Sequence, residues 1–304
     1  MAAPRIGAGT TPRVVVVSRP SQYQGLLAAH GTHGQAAFFL RSREQAIEPV
    51  LAAHELLLDA RSRVLAAIPP DWRRSELQRD DLDRYLFGPE DVIVVVGQDG
   101  LVANVAKYLH GQPVIGVNPD RASIDGVLVR HDPSATADVL ADAVADRASV
   151  ELRTMVEARI GDGRSLLALN ELFVGHRSHQ SARYDLLVDA HHERHSSSGL
   201  VVATGTGSTG WARSMHLERH SSVALPLPDE HRLTWFVREA FPSRATGTDL
   251  TEGELTGGAS ISITSRMDAD GVVFGDGIEA DRLALGWGER VEIGLSARHL
   301  RLVA

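Results

Sequence analysis

The chain has 304 residues, enough for two domains that each bury a core. Its net charge of −8 at pH 7 opposes binding to a nucleic-acid backbone, and no apolar run approaches the ~20 residues that cross a membrane. Cysteine is absent, which removes disulfides, thiolate metal sites and cysteine nucleophiles together and fits a reducing, cytoplasmic setting.

Residues 1–12 are small and polar, with no apolar stretch of the secretory kind, and read as a flexible tail. The β-branched run Arg13–Val17 predicts a buried parallel strand. Apolar residues at helical spacing (Ala46, Val50, Ala53, Leu57, Val64, Ile68) predict a helix within residues 42–68, stopped by Pro69 and Pro70. Arg41, Arg43, Arg61 and Arg63 read as a solvated helix face. A strand over Asp91–Val96, a turn over Gly97–Gly100, a helix over Val102–Leu109, a strand over Pro113–Val117 and a helix over Pro133–Asp146 complete the first half. Strands alternating with helices predict a parallel sheet with helical crossovers over residues 13–148.

From residue 149 to 304 the pattern is mostly β. Short strand-like stretches are expected at 151–160, 166–174, 184–188, 200–203, 260–264, 272–274, 290–293 and 300–303, separated by Gly, Asp and Ser turns. Helices are expected only at Thr209–Leu217 and His231–Ala240. His191, His192 and His195 read as a solvated hairpin tip rather than a metal site, and His176 and His179 as residues that face the site. Trp235, Phe236 and Phe241 read as core or dimer contacts.

Four segments carry chemistry. The first, Gly97-Gln98-Asp99-Gly100, places a carboxylate at the carboxyl end of a buried strand, the edge where open α/β sheets bind ligands. Two readings stay open there: a phosphate-binding turn whose Asp99 orders Mg²⁺ or takes a proton, or an ordinary turn whose aspartate caps a helix. The second, Asn170-Glu171, sits in an apolar strand, where an unpaired amide would cost ~2–7 kcal/mol, so polar partners are expected. In the third, Thr204-Gly205-Thr206-Gly207-Ser208-Thr209-Gly210-Trp211, a strand runs into a Gly/Thr/Ser turn able to cradle a phosphate or ribose. The fourth, Gly275-Asp276-Gly277, reads as a hairpin turn. Neither a G-x-x-x-x-G-K-[ST] loop nor a G-x-G-x-x-G after the first strand is present.

In this order these segments resemble the motifs of the NAD kinase family, and Val114–Asn118 is similar to the strand after that family's phosphate turn. Tyr23–Leu27 with His30 and His33, and Ser197–Leu200, resemble the mitochondrial-type branch. The resemblance implies an N-terminal Rossmann-like parallel-sheet domain and a C-terminal β-sandwich-like domain, with the site between them. It implies transfer of the terminal phosphoryl of ATP, with Mg²⁺, to the 2′-hydroxyl of the adenosine ribose of NAD, in a homodimer or homotetramer. Asp99 would be the catalytic acid-base or charge-organising residue. Gly97, Gln98 and Gly100 would meet phosphates, and Asn170 and Glu171 the ribose hydroxyls. Thr204, Thr206, Gly207, Ser208, Thr209, Gly210 and Asp276 would line the dinucleotide, and Trp211 would offer a stacking face.

The family carries glycine where this chain has Gln98 and threonine where it has Leu101. A steric cost at Gln98 and a missing hydroxyl at Leu101 are therefore expected to reduce or alter donor use. Two alternatives follow: a catalytically impaired relative that binds NAD(P)(H) as a sensor or regulator, or a kinase for another small hydroxylated substrate.

Overall fold

The computed structural model describes residues 11–304, so the tail expected at 1–12 falls outside the described residues except for Thr11 and Pro12. The chain divides into two compact units: one ends at Glu151 and takes in Arg301–Ala304, the other is Leu152–Leu300. The last four residues belong to the first unit, not to the second half where the sequence placed them, because Arg301 and Leu302 pair with Pro113 and Val114.

In the first unit the elements run β1 (Arg13–Ser18), α1 (Gln22–His30), α2 (His33–Arg41), α3 (Glu48–Ala67), β2 (Arg73–Gln78), β3 (Asp91–Val96), α4 (Asp99–Ala106), β4 (Pro113–Val117) and α5 (Thr136–Val144). The strand order is β2-β1-β3-β4, all parallel, with residues 301–302 added beside β4. β2 lies on one side of β1 and β3 on the other, so sheet growth reverses between β1 and β3. Their carboxyl ends flank a topological switch point, the crevice where ligands bind such sheets. The valine runs of β1 and β3 are buried throughout, and one face packs on Ala60 and Val64 of α3 and Leu140 and Ala143 of α5. The long helix begins at Glu48, with Pro49 in its first turn, rather than at residue 42. Arg41 lies on α2, whereas Arg61 and Arg63 lie on α3 and pair with Glu76 and Asp59, so the four arginines do not share a face.

The second unit contains β5 (Val150–Ile160), β6 (Ser165–Ala168), β7 (Glu171–His176), β8 (Ala182–Val188), β9 (His191–Ser197), β10 (Leu200–Ala203), α6 (Trp211–Arg219), β11 (Arg232–Val237), β12 (Glu252–Thr256), β13 (Ser260–Ser265), β14 (Gly271–Gly275), β15 (Ile278–Ala284) and β16 (Arg290–Val303), whose last residues pass to the first unit. One antiparallel sheet has the order β12-β11-β10-β7-β14-β15; in the other, β16, β13, β8 and β9 are neighbours. Alternate residues of the two sheets share one core: Leu172, Val202 and Trp235 from the first, Tyr184, Ile263 and Val291 from the second. This is the sandwich that the family resemblance implies. The opposite face of the first sheet (Phe173, Val201, Phe236) is covered by Ala212 and Met215 of α6.

Two expectations fail here. The helix expected at 231–240 is instead strand β11 (Arg232–Val237), because Leu233, Trp235 and Val237 alternate inward with period two between β10 and β12. The histidine cluster lies on strand β9, where His191 and His192 are exposed just after the turn at Asp189 but His195 is fully buried, its ring stacked on Tyr184 at 5.5 Å. Burial holds the His195 imidazole below its ordinary pKa. Trp235 and Phe236 are core, whereas Phe241 is exposed.

Gly116 of β4 lets residues 128–131 run against the sheet: His131 donates to the Gly116 carbonyl at 2.9 Å, and a Cβ on Gly116 would lie 2.1 Å from the Leu128 carbonyl oxygen. Since that obstacle is backbone, Gly116→Ala is expected to cost about 3 kcal/mol in urea unfolding. A loss below about 0.5 kcal/mol would show that the segment yields freely.

Candidate functional site

In the first unit the chemistry gathers at the carboxyl ends of β1 and β3. Helix α4 starts at Asp99, three residues earlier than the apolar pattern indicated, with Gln98 as its N-cap residue. The Asp99 carboxylate accepts backbone N–H groups from a segment 28–30 residues away: Val127 on Oδ2 at 3.0 Å, and Leu128 and Val129 on Oδ1 at 2.8 and 3.0 Å. It is therefore neither a free carboxylate nor a simple helix cap. A carboxylate offers about four acceptor positions, so one on Oδ2 remains open. Gly97 donates to Val117, and a Cβ on Gly100 would project into open space.

The two departures take on a different meaning. Gln98 has φ −104° and ψ 163°, ordinary extended backbone, so glutamine carries no steric cost there. Its Oε1 accepts from Arg19 Nη2 at 2.5 Å. Leu101 is buried in the core of the unit, and its Cδ2 lies near the space over Gly97. Arg19 belongs to none of the four motif segments. Its position directly after the first strand was the available signal.

In the second unit the predicted residues converge on the break between β6 and β7. The β14–β15 turn has Asp276 and Gly277 at positive φ (54° and 68°), as a tight two-residue hairpin requires. Asp276 turns its carboxylate back onto the break: Oδ2 accepts from Leu169 N–H at 2.9 Å and Oδ1 from Asn170 N–H at 2.7 Å. Its own N–H donates to the Glu171 carbonyl at 3.1 Å. Thr204 closes the corner from β10, with its N–H on the Asn170 carbonyl at 2.9 Å and its hydroxyl donating to the Leu169 carbonyl at 2.5 Å. The same Oγ1 accepts from the N–H groups of Thr206 and Gly207 at 3.1 and 3.3 Å. The Ser208 hydroxyl donates to the Thr204 carbonyl and the Thr209 hydroxyl to that of Thr206. Close approach explains two glycines: a Cβ on Gly207 would sit 2.2 Å from the Asn170 carbonyl oxygen, and one on Gly205 would sit 1.8 Å from that of Leu227.

The Asn170 N–H and the Asn170 and Glu171 carbonyls are thus engaged, while the two side chains have no hydrogen-bond partner among the described residues. Burial, reinforced by the neighbouring Asp276 charge, pushes the Glu171 carboxyl up to about 7. Thr209 and Gly210 are exposed at the start of α6. Trp211 stacks on Phe173 with centroids 5.8 Å apart, and the Arg238 guanidinium lies 4.8 Å from its ring centre. Its aromatic surface is therefore already partly used. A cleft of about 220 Å³ opens beside it, lined by Trp211, Ser214, Glu218, Arg219 and Arg238 among others. His176 does not join the corner; its Nδ1 accepts from the Ser178 N–H at 3.1 Å.

Glu171 makes stability depend on pH. The folded state holds this proton more tightly than the unfolded chain does, so its contribution is neutral below about pH 4.5 and becomes a growing penalty as pH rises through 7. Glu171→Gln removes the penalty, and its stability advantage in urea unfolding is expected to be ~2 kcal/mol larger at pH 8 than at pH 5. Equal pH dependence of the two proteins would contradict this placement of the carboxyl.

No protein-family model matches the chain. Curated proteins do. A NAD kinase of Chlorobaculum tepidum is 27% identical over 184 residues, covering 59% of this chain and 63% of that protein. One from Heliobacterium modesticaldum is 37% identical over 132 residues (41% and 46%), and one from Psychrobacter arcticus 32% over 155 residues (48% and 47%). The chain spans about half to three-fifths of the length of these curated relatives. Several bacterial NAD kinases at this level of identity support the NAD kinase family for this chain.

Proposed function

We propose that the protein is a NAD kinase that transfers the terminal phosphoryl of ATP to the 2′-hydroxyl of the adenosine ribose of NAD(H). The observation that carries this reading is the corner at Asn170–Glu171. Asp276 and Thr204 hold its backbone and leave an amide and a carboxyl side chain, both without a hydrogen-bond partner among the described residues, to meet vicinal hydroxyls. The second unit would bind the dinucleotide through this corner and the Thr206–Trp211 turn, and the first would bind the donor at the ends of β1 and β3. Magnesium enters with the triphosphate as part of the substrate.

In the reaction, the 2′-oxygen forms a bond to the γ-phosphorus while the bond to the β,γ-bridging oxygen breaks, and its electron pair leaves on ADP. The 2′-hydroxyl proton passes to the open acceptor position on Asp99 Oδ2. The three N–H donors on the carboxylate fix its orientation, which is worth more in phosphoryl transfer than basicity, because positioning dominates. Membership of the mitochondrial-type branch and a homodimeric or homotetrameric state belong to the same proposal and rest on the resemblance alone, and a cytoplasmic location rests on the absence of cysteine. The sensor reading drew on Gln98 and Leu101. An unstrained backbone at the one and core packing at the other leave it without a specific structural support.

Purified protein is expected to form NADP from NAD and MgATP, and Asp99→Asn to lower kcat by roughly 10²–10⁴-fold while NAD affinity stays within about threefold. Turnover unchanged in that variant would remove Asp99 from the chemistry, and NAD binding without any turnover in the wild type would favour the sensor.

A further inference from the structure

Resting on the kinase reading, we infer that Arg19, held in place by Gln98, takes the terminal phosphates of the donor. Arg19 directly follows β1 and Gln98 follows β3 by two residues, so both project from the strand ends that flank the topological switch point. The parallel register sets Val17 opposite Val95, which brings the two loops side by side and allows the 2.5 Å bond from Arg19 Nη2 to Gln98 Oε1. Arg19 is half-buried and makes no ion pair with a carboxylate among the described residues. Two other arginines of the unit differ: Arg13 is bidentate on Asp91, and Arg130 is paired with Glu151 at 2.6 Å. A guanidinium has five donors in a fixed fork, and a neutral amide oxygen occupies one of them. The charge and the remaining donors suit a phosphate, which arginine binds by paired, charge-assisted hydrogen bonds. Asp99 is the next residue after Gln98, so a phosphate on Arg19 would lie beside the carboxylate that receives the acceptor's proton.

Gln98 then has a function of its own. Where a glycine would leave the arginine free to sweep solvent, the glutamine amide limits it to one position at the crevice. The side chain that differs from the family pattern is the tether of a phosphate ligand rather than an obstruction. Gln98 is a positioning residue and Arg19 the binding residue.

Titration calorimetry of the full chain with MgATP and, separately, with inorganic tripolyphosphate tests this, using the wild type, Arg19→Gln, Arg19→Lys and Gln98→Ala. Arg19→Gln is expected to weaken both triphosphates by roughly ten- to hundredfold, with NAD affinity and the unfolding midpoint unchanged. Arg19→Lys should recover part of the loss, since it keeps the charge but not the fork, and Gln98→Ala should weaken both triphosphates by about threefold. Wild-type affinity in Arg19→Gln, or a parallel loss of NAD binding and unfolding midpoint, overturns the assignment of Arg19. Wild-type affinity in Gln98→Ala overturns the tether. A wild type that binds neither triphosphate overturns this inference and the kinase reading together.

Discussion

Two carboxylates that accept backbone N–H groups, one in each unit, hold the candidate residues of their own units in shape. Asp99 takes three from Val127–Val129, and Asp276 takes two from Leu169 and Asn170. Both segments are irregular, with donors that no strand or helix pairs. An N–H left unpaired away from water costs about 1–3 kcal/mol, so each aspartate settles the path of its segment. Asp99 ties the segment that packs over Gly116 to the end of β3, and Asp276 ties the β6–β7 break to the β14–β15 turn. The side chains of Asn170 and Glu171, which have no hydrogen-bond partner among the described residues, are free of structural duty because Asp276 and Thr204 carry it.

Much of the framework was legible in the chain. The unbroken valine runs of β1 and β3 read as buried parallel strands, and the Asp-Gly turn read as a hairpin; all three are so. Less legible was whatever depends on contacts distant in sequence. Strand β2, Arg-Arg-Ser-Glu-Leu-Gln, has no apolar pattern and exists because it pairs with β1 in register. Residues 231–240 satisfied helical spacing as well as alternation, and only the neighbours β10 and β12 decide for a strand. The histidines of β9 were read by polarity alone, yet one of the three points into the sandwich core.

The site divides in the same way. Its motif residues stood out by composition, but their partners did not: Val127–Val129 are apolar, and Arg19 carries no motif. Gln98 illustrates the limit most clearly. Against a family pattern it reads as damage, because a glycine usually implies backbone that other residues resist. The backbone at 98 is ordinary, and the side chain has a partner 79 residues away. A departure from a motif is thus a statement about side-chain contacts until the dihedral angles say otherwise.

The most direct test of the two anchors is residue-resolved amide hydrogen exchange of the ligand-free protein, comparing the wild type with Asp276→Ala and Asp99→Ala. Slow exchange is expected at Val127, Leu128 and Val129, lost only in Asp99→Ala, and at Leu169 and Asn170, lost only in Asp276→Ala. Exchange of these five amides as fast as that of exposed loops in the wild type, or protection indifferent to both substitutions, would contradict it.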